Sequence, residues 1–127
     1  MPGTFNPRKF LEIGKSLLND GRYDEDSKVR TAMGRIYYAA FLVAWKKLEH
    51  EGIAIRDRSK VHEEVIDAYM DRGFTNIGGK LDQLRERRVD ADYHMMVDLA
   101  LNECRQLALL SERTIQLIEQ IRTIAGR

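Results

Sequence analysis

Proline is almost missing from this 127-residue chain: Pro2 and Pro7 are the only two, so 120 residues follow without a strong helix breaker. Cysteine is rarer still. Cys104 stands alone, which excludes an internal disulfide framework and a cysteine-based zinc cluster, and fits a reducing compartment. No apolar run approaches the roughly 20 residues that span a bilayer, and the start of the chain has neither the basic opening nor the apolar stretch of a secretory signal. A cytoplasmic protein without membrane association is expected. An excess of one charge is lacking too. The 21 Lys+Arg against 20 Asp+Glu leave +1, so any attraction for phosphate has to be local. Val, Ile and Thr never alternate over a useful length, which removes the strand signal.

What remains is helical. Apolar residues make up 43% and charged residues 32%, the composition of a soluble globular chain, and the length suits one domain over residues 1–127. Asn6 and Pro7 suit a helix start, and Phe10, Ile13 and Leu17 repeat at helical spacing until Asn19-Asp20-Gly21. Asp26 or Ser27 is placed to cap the next helix. There Val29, Met33, Ile36, Tyr37, Ala40, Phe41, Ala44 and Leu48 draw one apolar stripe, with Tyr38, Leu42 and Trp45 beside it. An apolar arc this wide needs partners on two sides, and Gly52 suits its C-terminal stop. A short helix is expected over Val61–Met70, after a Ser59 cap, and another from about Asn76 to Arg88. A last helix is expected from Asp90 or Asp92 to about Ala125, roughly 50 Å long, which would kink or protrude from a domain about 26–30 Å across. The expected fold class is all-α, an up-down four-helix bundle with an additional short helix.

The chemistry concentrates in Leu81–His94. Arg85, Arg87 and Arg88 precede His94 closely, and arginine outnumbers lysine 14 to 7 along the chain. Arginine is the better planar partner for phosphate. With Asp92 as cap, His94 falls in the first turn of the last helix, where the macrodipole favours a neutral ring able to accept a proton. A neutral histidine can take the proton of a ribose 2′-hydroxyl, and an arginine can hold the non-bridging oxygens as charge builds. No metal is called for: His62-Glu63-Glu64 lacks the second histidine of a zinc helix. The same residues also suit plain helix capping and surface ion pairs. Tyr37 reads as core, His62 as a packed or exposed helix-start residue, His50 as capping, and Cys104 as inert.

Three motifs go further. Arg35-Ile36-Tyr37-Tyr38-Ala39-Ala40-Phe41 resembles the Arg-x-Tyr-Tyr-Ala-x-Phe helix of small HEPN-domain proteins. Arg88-Val89-Asp90-Ala91-Asp92-Tyr93 resembles their Arg-x-x-Ala-Asp-Tyr element, and Lys60-Val61-His62 is similar to a Lys-x-His between the two. The resemblance covers about residues 10 to 125. It implies a homodimeric helical bundle and a metal-independent endoribonuclease that needs no cofactor, often the toxin of a toxin–antitoxin or antiphage module. Carried over, its arginine–histidine signature falls on Arg88, or Arg87, with His94. Arg88 also fits the Ala-Asp-Tyr element. Arg85, Arg87, Arg35 and Tyr93 are then the candidate RNA-binding residues. The alternative that the resemblance allows is a non-catalytic module that binds nucleotides or partners a nucleotidyltransferase antitoxin.

Overall fold

The computed structural model describes residues 5–124 and contains five α-helices, with no strand among them: α1 (Arg8–Leu18), α2 (Glu25–His50), α3 (Val61–Asp71), α4 (Thr75–Tyr93) and α5 (Leu101–Glu119). A single 3₁₀ turn, Arg58–Lys60, leads into α3. No described helix is long and apolar enough to cross a membrane.

The second helix is the axis. It packs against each of the other four, and all eight residues of its apolar stripe are buried. Ala32 and Ala39, off that stripe, are buried as well, so the helix does meet partners on two sides. Its start is fixed by Asp24, whose Oδ2 accepts the Ser27 N–H at 3.0 Å, rather than by Asp26 or Ser27. Asp24 ranks with these as a cap, but only its side chain lies before the first turn. Gly52, at φ 77°, takes the left-handed turn that follows the helix. Ahead of α1, Pro7 already has helical dihedrals and Asn6 Oδ1 accepts the Arg8 N–H at 3.1 Å. Gly14 lets α1 lie close on α2: a Cβ there would sit 3.0 Å from Ile36 Cγ1 and 3.3 Å from the Ala32 carbonyl, both in the packed interior. Ser59 does not cap α3. Asp57 caps the 3₁₀ turn instead, accepting from both the Ser59 N–H and its hydroxyl.

The largest departure from the expected helices lies at the α4–α5 junction. The expected break near Arg88 does not occur, and α4 runs on to Tyr93. Ala91 is buried against the core, and Arg88 Nη1 reaches Asp92 Oδ2 at 3.1 Å, an i,i+4 pair that suits continuous helix. Asp92 therefore supports α4 from within instead of capping α5, whose start at Ala100 has no side-chain cap. His94 closes α4 at its carbonyl end and is not in the first turn of α5.

The junction that follows is held by one side chain from α2. Arg30 Nη1 donates to the carbonyls of Asp90, Ala91 and His94, and Nη2 to those of Met95 and Val97. Of these, the Ala91 carbonyl lies in the last turn of α4, where carbonyls run out of helical partners, while that of Asp90 also accepts the His94 N–H. At 19 residues α5 is about 28 Å long, far short of the expected 50 Å. The expected end near Ala125 lies outside the described residues, but the helix has already stopped at Glu119. Ile124 is still fully buried, because Glu51 Oε1 binds its N–H and Lys47 Nζ binds the Ile121 carbonyl, drawing the segment back onto α2.

Candidate functional site

Three helices bring polar groups together around the start of α3. From α2 come Arg35, Tyr37, Tyr38 and Phe41, from α3 His62, and from α4 Arg85 and Arg88. Tyr37 is wholly buried, and its hydroxyl lies 2.6 Å from His62 Nδ1. The ring of His62 stacks on Phe41 at 4.4 Å between centroids, with Tyr38 edge-on at 5.8 Å. Nothing else among the described residues accepts the phenolic hydrogen, so Tyr37 donates to Nδ1 and the imidazole carries its own hydrogen on Nε2. That Nε2–H has no protein acceptor among the described residues, and the residue is half-buried.

Burial above all, then Arg88 and then Arg85, pushes His62 down to about 4, so the ring is neutral near pH 7. Burial likewise holds the Tyr37 phenol well above its usual value. A folded-state value below the unfolded one means that the neutral ring adds stability above about pH 6.5, and that this contribution disappears as pH falls from there towards 4. Thermal melts between pH 7 and 4 should therefore show the wild type losing more stability than His62→Gln, which has no proton to gain. Parallel curves for the two proteins would contradict the assignment.

Arg88 is the deepest charge of the group, 9% exposed. Its guanidinium lies 5.5 Å from the ring centroids of both Tyr37 and Tyr38, a cation–π arrangement, and its Nε is buried with no hydrogen-bond partner. Arg85 sits further out, with Glu63 Oε1 4.0 Å away. Arg35 lies over the Phe10 ring at 4.6 Å and shares Tyr38 with Arg88. Among the described residues no carboxylate pairs with it, so the ion pair that competes with a pocket role is not made.

The other candidates lie elsewhere. Arg87 faces the α4–α5 junction, bound to Asp90 at 2.8 Å and Glu103 at 2.7 Å. Tyr93 is 70% exposed, and the His94 ring is exposed with no hydrogen bond to any described residue. Six helical residues rotate a side chain by about 240°, so Arg88 and His94 point from different sides of α4 within one chain. The sequence reading thus placed Arg35, Arg85 and Arg88 in what is one cluster, but passed over His62, the histidine that joins them. Its one signal was Lys60-Val61-His62. No group of three potential metal ligands occurs among the described residues. Comparison with protein-family models finds no match, and comparison with curated proteins finds none either.

Proposed function

We propose that this chain is a HEPN-like helical module that binds RNA by its phosphates, with Arg85, Arg88 and the Nε2–H of His62 as the receiving groups. The observation that carries the reading is the neutral His62 imidazole held beside two guanidiniums, one of them buried with an unpartnered Nε. A neutral ring takes the place where a third cation would repel, and it still offers a hydrogen-bond donor. Guanidiniums on aromatic faces keep their charge while losing side-chain freedom, which favours a forked grip on phosphate oxygens. The five helices, with α2 at their centre, are in keeping with the four- or five-helix bundle that the resemblance implies.

A second reading, metal-independent cleavage of the bound RNA, is favoured by one feature. His94 stands exposed and unpartnered on the junction that Arg30 fixes, flanked by Tyr93 at 70%, Met95 at 89% and Met96 at 95% exposure. An imidazole on an apolar rim is what a site shared between two copies of the chain presents, with His94 of one copy serving the phosphate held by Arg88 of the other. There His94 takes the 2′-hydroxyl proton, the oxygen attacks phosphorus, and the bond from phosphorus to the 5′-oxygen breaks, leaving a 2′,3′-cyclic phosphate and a 5′-hydroxyl that takes its proton from the imidazolium or water.

Wild type, Arg85→Ala and His94→Ala, mixed with short single-stranded RNA in EDTA, separate the two. The binding reading expects weaker association for Arg85→Ala alone and intact RNA throughout. New 2′,3′-cyclic phosphate ends from wild type, lost in His94→Ala, would establish cleavage. RNA that binds none of the three proteins would remove both readings.

A further inference from the structure

The helices α1 and α5 run antiparallel, tied at three levels by Arg8 with Glu119, Lys15 with Glu112 and Arg105 with Asn19. At the last two of these ties lies a cavity of about 230 Å³, lined by Lys15, Leu18, Asn19, Arg105, Ala108 and Leu109. Its wall is apolar. Leu18 and Ala108 are buried beneath it, while Leu109 is 56% exposed, a large aliphatic side chain left to water. The volume exceeds the roughly 150 Å³ that encloses benzene, so an aryl ring or a short alkyl chain has room there. The mouth is polar and carries a surplus positive charge. Lys15 Nζ is compensated by Glu112 Oε1 at 3.2 Å. Arg105 is not. Its partner among the described residues is the neutral Asn19 carboxamide, whose Oδ1 accepts from Nη2 at 3.1 Å, which leaves most of the guanidinium's N–H groups to a ligand or to water. Asn19 in turn donates Nδ2 to the Lys15 carbonyl at 3.4 Å, which orients its oxygen towards Arg105.

We infer that this cavity binds a small carboxylic acid with an apolar body, an aryl or short-alkyl carboxylate, its tail on Leu18, Ala108 and Leu109 and its head on Arg105. A planar carboxylate suits the fork of a guanidinium. One uncompensated cation matches a monoanion, and the apolar wall presents no side-chain donor or acceptor to a sugar. A protein partner fits less well. Lys15, Asn19 and Arg105 enclose the apolar residues, with Glu112 beside Lys15, whereas a stable interface needs about 800 Å² on each side. Ile13, the exposed apolar residue of α1, stands about 160° around the helix from Lys15 and does not extend the patch. The cavity shares no residue with the cluster of His62, Arg85 and Arg88, so a ligand here is independent of RNA binding.

The test titrates isotope-labelled protein with hexanoate, phenylacetate, acetate, hexanol and hexylammonium, and follows backbone amide shifts by NMR. Hexanoate or phenylacetate should move the amides of Leu18, Asn19, Arg105 and Leu109 and bind at least tenfold more tightly than the other three. Acetate lacks the tail, hexanol the charge, and hexylammonium the right sign. Arg105→Gln, an exposed change that the fold should tolerate, should bring hexanoate down to the level of hexanol. Leu109→Ser should weaken hexanoate and hexanol alike, by threefold or more. Equal affinity for hexanoate, hexanol and hexylammonium would overturn the inference, as would an Arg105→Gln protein that keeps the preference for the acid. Shifts centred on other residues, or none at millimolar acid, would overturn it too. So would shifts of these same amides on dilution without any acid, because a second copy of the chain would then be the occupant.

Discussion

Arg88→Ala should weaken RNA binding about 10- to 100-fold, the largest functional loss expected of any single substitution here. A charge-assisted hydrogen bond is worth about 1.5–3 kcal/mol, and a forked guanidinium can make two to one phosphate. The dependence of affinity on salt should flatten as well, by about 0.7 in the logarithmic slope for one lost phosphate contact on a single strand. Because Arg88 also fills space against Tyr37 and Tyr38, the variant will lose some stability. Thermal melting must therefore accompany the binding measurement. Arg88→Lys separates the two effects: it restores charge and much of the stem, but not the planar fork, so stability should return further than affinity. A folded Arg88→Ala protein that binds RNA like wild type, with an unchanged salt slope, would end the proposed function.

Arg30→Ala should be the most damaging single change to stability outside the apolar core, at about 2–4 kcal/mol. Five backbone carbonyls across the α4–α5 junction converge on this guanidinium, and Nε is held by Asp26 at 3.1 Å. Its side chain is only 17% exposed, so the bonds are partly shielded from competing water. Within the junction the remaining backbone bonds are few: the His94 N–H to the Asp90 carbonyl, and the Val97 N–H to the His94 carbonyl. The denaturation midpoint should fall accordingly, and amide exchange at His94 and Val97 should accelerate more than exchange in the middle of α2. Arg30→Lys should recover little, since an ammonium has three donors and no planar fork. If RNA is cleaved by His94, this variant should also slow cleavage more than it weakens binding.

The pattern of what the sequence disclosed follows from the range of the forces involved. The burial of α2 was legible because helical periodicity is local and its eight stripe residues all meet the core. The end of α4 was not. Asp90 and Asp92 carry the chemistry of helix starts, yet in the folded chain Asp90 pairs with Arg87 and Asp92 with Arg88, three and four residues back on the same helix. Arg30 gave no local signal either, because its carbonyl partners lie 60 to 67 residues away. Ile121 and Ile124 kept the apolar rhythm of α5 beyond its end, since burial alone does not require a helix when Glu51 and Lys47 supply the backbone with partners. At the site, Arg35, Tyr37, Tyr38 and Arg88 stood in the motifs, but Tyr37 was read as core alone and Arg85 lay in no motif. The role of His62 depends on a hydroxyl 25 residues away, and only the packing of α3 on α2 brings the two within reach.

One buried atom has a practical consequence of its own. The Cys104 thiol is fully enclosed on α5, and burial, with Glu103 adding to it, raises it to about 11. As the sole sulfhydryl in the chain it leaves the native surface chemically silent towards maleimides. A cysteine placed at the exposed Met96 would then accept a spin label or fluorophore at that one address, turning the rim beside His94 into a ruler for the distance between neighbouring molecules.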